Sequence, residues 1–88
     1  MNYLYIGKLV NTHGIKGEVR LLSKFRYKDK VFVKGFKVYV GKDKEEFEIE
    51  KYRVHKNFDM LVFKDNYDIN KVEYLKGSLV YINKDDLH

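Results

Sequence analysis

The chain has no cysteine and no proline among its 88 residues, and no apolar run longer than four. Without cysteine there is no disulfide staple, thiolate zinc site, iron–sulfur cluster or cysteine nucleophile, and nothing points to an oxidising compartment. The longest apolar stretches, such as Met60 to Phe63 and Leu79 to Ile82, fall far short of the roughly 20 residues that cross a bilayer as a helix. The opening Met1-Asn2-Tyr3-Leu4-Tyr5 also lacks the basic region and small-residue cleavage site of a secretory signal. The expectation is a cytoplasmic protein with no membrane contact. Length is equally limiting, because a chain this short buries only about 60 to 65% of the surface its unfolded form exposes. It can build one domain, with no room for separate catalytic and cofactor domains.

What the chain does have is basic charge, unevenly placed. The net charge is +5, yet residues 1 to 44 carry eleven basic and three acidic side chains, a net of +8, while residues 45 to 88 carry a net of −3. A local positive field favours an anionic partner through steering and counterion release, and RNA is the commonest such partner for a soluble module. Solubility alone also explains lysine-rich surfaces. Composition leaves both readings open.

The hydrophobic pattern is mainly of period two, and 16% aromatic content with many Val and Ile suits strands. Tyr3 to Val10 reads as a first strand, closed by the turn-forming Asn11-Thr12-His13-Gly14, and Gly17 to Leu22 as a second. The two form a hairpin around a Gly14 to Gly17 loop whose glycines permit positive φ. Phe25 to Phe32 reads as a loop with one helical turn, anchored by Phe25, Val31 and Phe32. Phe36 to Val40 and Glu46 to His55 are the third and fourth strands. The fourth changes parity between Phe47, Ile49 and Tyr52, Val54, which predicts a β-bulge near Lys51. Asn57-Phe58-Asp59 is expected to turn the chain into a short strand from Met60 to Phe63, buried on both faces. Asn70 with Glu73 predicts a capping box and a short helix ending at Gly77. Leu79 to Ile82 is the last strand. Six short strands and one short helix imply a mainly all-β fold, a small antiparallel six-stranded barrel whose closure removes exposed edges.

Chemistry-bearing residues are sparse. Thr12, Ser23 and Ser78 are the only hydroxyl nucleophile candidates besides tyrosine, and none sits in a strand-to-helix elbow. His13, His55 and His88 lack metal-ligand spacing. Glu45, Glu46, Glu48 and Glu50 read as a solvent face. The expectation is no enzyme, no metal and no cofactor. Phosphate contact is the stronger candidate: Gly14-Ile15-Lys16-Gly17 offers backbone N–H groups around a lysine, and Lys8, Lys16, Arg20, Lys24 and Arg26 flank it. Arg53, His55 and Lys56 form a second basic cluster, where an arginine can fork onto phosphate. An ordinary hairpin turn and a solvated strand face remain alternatives for the two clusters.

The stretch Tyr3 to Arg20, with Gly7, Asn11, His13, Gly14, Gly17 and Glu18 at fixed offsets, resembles the opening of the ribosome maturation factor RimM family. Two further segments agree in order and spacing: Ile49 to Lys56 followed by Leu61-Val62-Phe63, and Asp68-Ile69-Asn70 leading to Glu73 to Gly77. The resemblance covers almost the whole chain. It implies a six-stranded barrel of the translation-factor type over residues 1–83, with residues 84–88 opening a linker to a second, PRC-type barrel. It implies assistance in late maturation of the small ribosomal subunit's head. The implied partners are the small subunit, its 16S rRNA and a head ribosomal protein reached mainly through the second barrel, with a monomeric chain. The chain departs from the family in lacking prolines after strand two and near the last strand. Carried over by position, Gly7, Asn11, Gly14 and Gly17 are expected to shape the loop. Lys8, His13, Lys16, Arg20, Lys24, Arg26, Arg53, His55 and Lys56 form the expected set of RNA or ribosome contacts. The competing expectation is a protein-docking module using Tyr27, Phe32 or Phe58.

Overall fold

Alternation of inward and outward side chains, interrupted at three bulges, shapes the sheet. A computed structural model describes residues 1–87. Its strands are β1 (Tyr3–His13), β2 (Glu18–Leu22), β3 (Lys37–Val40), β4 (Glu45–His55), β5 (Phe58–Phe63) and β6 (Leu79–Asn83). They close into an antiparallel barrel in the order β1-β2-β5-β4-β3-β6. The register slips between Tyr5 and Gly7, between Leu9 and Asn11, and between Ile49 and Lys51. The last of these is the bulge that the parity change in β4 predicts. The two in β1 bend that long strand so that its first half pairs with β6 and its second half with β2.

These slips also explain why β1 outruns its expected end. A bulge at Val10 restores the pairing of Thr12 with Val19 and His13 with Glu18, so Asn11 to His13 extend the ladder. Only Gly14 to Gly17 turn. The β4–β5 hairpin is likewise tighter than Asn57-Phe58-Asp59 suggests: His55 pairs with Phe58, leaving Lys56 and Asn57 as the turn, and Lys56 takes φ 56°. A two-residue turn with positive φ follows the twist of the strands it joins.

The barrel interior holds Leu9, Leu21, Val38, Ile49, Phe63 and Ile82, each almost wholly removed from solvent. Phe47, in the same core cluster, stacks on Phe63 with ring centroids 4.7 Å apart. The segment between β2 and β3 forms the single helical turn α1 (Lys28–Val31), as expected, and seats Val31 and Phe32 in the core. Asp59, paired with buried Leu21, faces the interior at 2% exposure. Its carboxylate accepts from the Tyr52 hydroxyl at 2.6 Å and meets the Lys28 ammonium at 2.7 Å. Burial and the neighbouring Asp59 hold the Tyr52 hydroxyl well above its usual pKa.

The helix expected from Asn70 to Gly77 is replaced by two 3₁₀ turns, Ile69–Lys71 and Glu73–Leu75. The N-cap is Asp68, whose carboxylate accepts from the Asn70 N–H, rather than Asn70 itself. The reason is the apolar spacing. Ile69, Val72 and Leu75 recur every third residue, the period of a 3₁₀ helix, and i→i+3 bonds link them in series. Of the stretch expected to open a linker, Lys84–Asp86 form one more 3₁₀ turn and Leu87 packs against the core, while His88 lies outside the described residues.

Candidate nucleic-acid interface

Residues paired across antiparallel strands point to the same side of the sheet, so the register defines the outer face of β1, β2, β5 and β4. His13 pairs with Glu18, Asn11 with Arg20, Arg20 with Met60, Met60 with Arg53, and Phe58 with His55. This face gathers His13 and Arg20 from the first hairpin with Arg53 and His55 from β4, far away in sequence. Met60 lies on it too, yet is 0% exposed and outside the interior cluster. The long side chains of the face therefore lie over it, which accounts for the continuous apolar run in β5.

Contacts among these groups are specific. Arg20 Nη2 donates to His13 Nδ1 at 2.8 Å, and the guanidinium rests 5.4 Å from the centre of the Phe58 ring. The His13 and His55 rings lie 5.5 Å apart. Arg53 is engaged differently: its Nε and Nη2 both donate to the Glu18 carboxylate at 2.8 Å. That fork is occupied by protein. Arg20 has no carboxylate within ion-pair distance among the described residues, and its Nε is buried without a hydrogen-bond partner.

The hydrogen bond from Arg53 holds the Glu18 carboxyl below its usual 4.5. A depressed carboxylate pKa contributes stability that is full above 4.5 and is lost as pH falls through the lowered value of the folded state. Glu18→Gln is accordingly expected to flatten the acid limb of stability in urea unfolding between about pH 6 and pH 3. At neutral pH it costs little, because the Arg53 half of the pair is open to solvent. An unchanged acid limb would count against this role for the pair.

The remaining expected contacts are dispersed. Lys16, in the turn, lines an open cleft of about 1000 Å³ together with His13, Glu18, Tyr52, Arg53 and Tyr67. Lys56 is exposed at the β4–β5 turn. Lys24 and Arg26 are on the connection from β2 to α1, where Arg26 lies over the Tyr27 ring, and Lys8 sits between Leu22 and Leu79 on the first half of β1. The structural residues act through close packing. Asn11 accepts from the Thr12 N–H through its side chain. A Cβ on Gly7 would stand 2.8 Å from the Leu22 carbonyl oxygen, so only glycine lets β1 approach that strand end. The Gly14 to Gly17 turn is pinned by the Ile69 N–H, which donates to the Ile15 carbonyl at 3.0 Å.

Phe32 is 3% exposed, which removes it from any docking surface, and Phe58 is half-buried beneath Arg20. Of the aromatics expected to face a partner, Tyr27 alone is well exposed, at 48%. Sequence reading missed the outer face of β1, β6 and β3, where Tyr3, Tyr5, Tyr39 and Tyr81 meet edge to face and the Lys44 ammonium lies 4.3 Å above the Tyr81 ring. Outward parity at Tyr3 and Tyr5 was its only signal. It missed the Lys28–Asp59 pair as well, because nothing local marks an inward aspartate. Among the described residues no group of three His, Asp or Glu side chains is placed to hold a metal ion. Among them, too, no helix is long and apolar enough to cross a membrane.

The fold and this face can be set beside known proteins. The solution structure of the N-terminal domain of RimM from Thermus thermophilus superimposes with a TM-score of 0.82 at 20% identity, covering 100% of this chain and 96% of that one. A RimM crystal structure from Pseudomonas aeruginosa gives a TM-score of 0.72 at 22% identity, covering 98% of this chain and 53% of that one. Both share the fold. In sequence, the ribosome maturation factor RimM of Streptococcus suis is 42% identical over 91 residues, spanning 99% of this chain and 53% of that protein. The protein of the same name from Exiguobacterium is 39% identical over 90 residues, spanning 100% and 52%. The chain thus spans about half the length of the curated relatives it matches. The profile described as the RimM N-terminal domain matches residues 4–87, the whole barrel with its terminal turn, and the chain belongs to that family.

Proposed function

We propose that this barrel is the RNA-contacting part of a ribosome maturation factor, acting without catalysis on the 16S rRNA in the head of the small ribosomal subunit. The observation that carries the reading is the outer face of β1, β2, β5 and β4, on which His13, Arg20, Arg53 and His55 converge around the Glu18 carboxylate. Lys16 and Lys56 extend it at the two adjoining turns. Such a surface binds phosphates through charge and counterion release, with little dependence on sequence. Membership of a ribosome maturation family supports the ribosome as the place where that RNA is met. A ribosomal protein of the head is a further partner, and the working state is a cytoplasmic monomer.

Binding to a transcript of the head region of 16S rRNA should weaken with salt by roughly 0.7 in log K per log salt for each single-strand phosphate neutralised. Lys16→Ala combined with Arg20→Ala is expected to reduce both the affinity and that slope. Unchanged values in the double variant would remove these residues from the interface, and capture of small subunits that survives nuclease treatment would favour a protein partner instead.

A further inference from the structure

A half-buried arginine without a counterion is an expensive arrangement. Removing a guanidinium from water costs free energy that an ion pair or a full set of hydrogen bonds normally offsets. Arg53 has that compensation from Glu18, and Arg20, on the same face, does not. Its one described side-chain hydrogen bond is to an imidazole nitrogen. Since arginine only donates, His13 Nδ1 must be the acceptor, which requires a neutral His13 with its proton on Nε2. The ring of His55 stands beside it at 5.5 Å.

We propose that Arg20, His13 and His55 form a seat for one phosphodiester of the bound RNA, and that filling this seat takes up a proton on the histidine pair. The proposal rests on the reading of this face as an RNA interface and adds to it a specific phosphate position and a dependence on pH. A phosphate here supplies the counter-charge that Arg20 lacks, and that charge lets an imidazolium form where the cations otherwise oppose it.

The groups around the pair come from strands and turns alike. β1 contributes His13, the turn after it Lys16, β2 contributes Glu18 and Arg20, β4 contributes Glu50, Lys51, Arg53 and His55, and the turn after β4 contributes Lys56. β5 presents Phe58 and Met60, which do not titrate, while Asp59 faces the barrel interior. Desolvation first, and then the charges of Arg53, Lys56 and Arg20, push His55 below its usual 6.5. Of the carboxylates that line the cleft with His13, Glu18 is engaged by Arg53 and Glu50 by Lys34. In the free protein the Nδ1 of His13 is taken by the bond from Arg20, and desolvation with the neighbouring cations disfavours an imidazolium at His55. An anion raises their proton affinity, so binding must strengthen as pH falls, by up to about tenfold per pH unit for each proton taken up.

The test measures affinity for the head-region transcript at about pH 7.5 and about pH 6, at constant ionic strength, in the wild type and in His13→Gln, His55→Gln and the double variant. Wild-type binding is expected to tighten several-fold at the lower pH. Each single variant is expected to lose part of that gain and the double variant all of it, with the salt dependence largely retained. Equal pH dependence in the wild type and the double variant overturns the seat while leaving RNA binding intact. If the transcript does not bind at all, the functional reading fails, and sulfate then tests the seat alone because its charge is constant over this range. Sulfate should shift the ring resonances of His13 and His55 in NMR spectra and raise the pH at which they titrate, an effect Arg20→Ala removes. Ring signals indifferent to sulfate overturn the proposal.

Discussion

Gly17→Ala is expected to cost about 3 to 4 kcal/mol of folding stability, whereas Gly14→Ala in the same turn costs about 1 kcal/mol. Both glycines have left-handed backbones, with φ of 73° at Gly14 and 86° at Gly17, so both substitutions carry the penalty of a side chain at positive φ. They differ in surroundings. A Cβ on Gly14 meets nothing within 4 Å. A Cβ on Gly17 would overlap the Asn66 carbonyl oxygen and stand 3.0 Å from the Asp68 nitrogen, both of them backbone atoms that cannot turn aside. Relief requires the 66–68 segment to move, which loosens the bond from the Ile69 N–H to the Ile15 carbonyl and the 3₁₀ turns that follow. A domain of this size has a total stability of about 4 to 13 kcal/mol. Gly17→Ala therefore removes a large share of it, and urea unfolding of the two variants reads the contrast directly. Equal losses would mean that the turn is not pinned against the 66–68 segment.

Lys28→Met should cost about 3 kcal/mol, and more than Asp59→Asn, although the two residues form a single pair. The asymmetry follows from burial. The Asp59 side chain is 3% exposed and the Lys28 side chain 35%. Without the ammonium, a carboxylate is left beside Leu21 and Tyr52, where it must either remain charged at high cost or take up a proton. Without the carboxylate, Lys28 can extend into water, and asparagine still offers the Tyr52 hydroxyl an acceptor. The sign of the pH effect is fixed as well. In Lys28→Met the unpaired carboxylate is penalised only while it is charged, so the penalty is full at neutral pH and shrinks in acid, where a proton removes the charge. The double variant should be less destabilised than the two single losses combined, since it leaves no unpaired charge. Additive losses, or a smaller cost for Lys28→Met than for Asp59→Asn, would contradict this account of how α1 is tied to the barrel.

What the sequence made legible follows from what is local. Alternation along each strand, the parity change between Ile49 and Tyr52, and glycines at both ends of the first turn are short-range signals, and they led to six strands, the β4 bulge and the first hairpin. The Asn70 to Gly77 helix failed because two cap-like residues outweighed the spacing of Ile69, Val72 and Leu75, which has period three. The candidate face was visible only as two separate basic clusters. That Arg20 and Arg53 flank one buried methionine, and that Glu18 occupies the fork of Arg53, depends on β2, β5 and β4 lying side by side. No pattern within one segment encodes that adjacency. Asp59 illustrates the same limit, since placing the turn too late put an interior carboxylate in a solvent loop.

The central claim, that the outer face of β1, β2, β5 and β4 meets ribosomal RNA, is tested most directly by photo-crosslinking on immature small subunits. A photoreactive side chain is placed in turn at Lys16, at Lys56 and, away from this face, at Tyr74, whose hydroxyl donates to Glu45. The account predicts adducts to 16S rRNA nucleotides from positions 16 and 56 and few or none from position 74. Adducts from positions 16 and 56 to ribosomal protein alone, or RNA adducts of equal yield from all three positions, would contradict it.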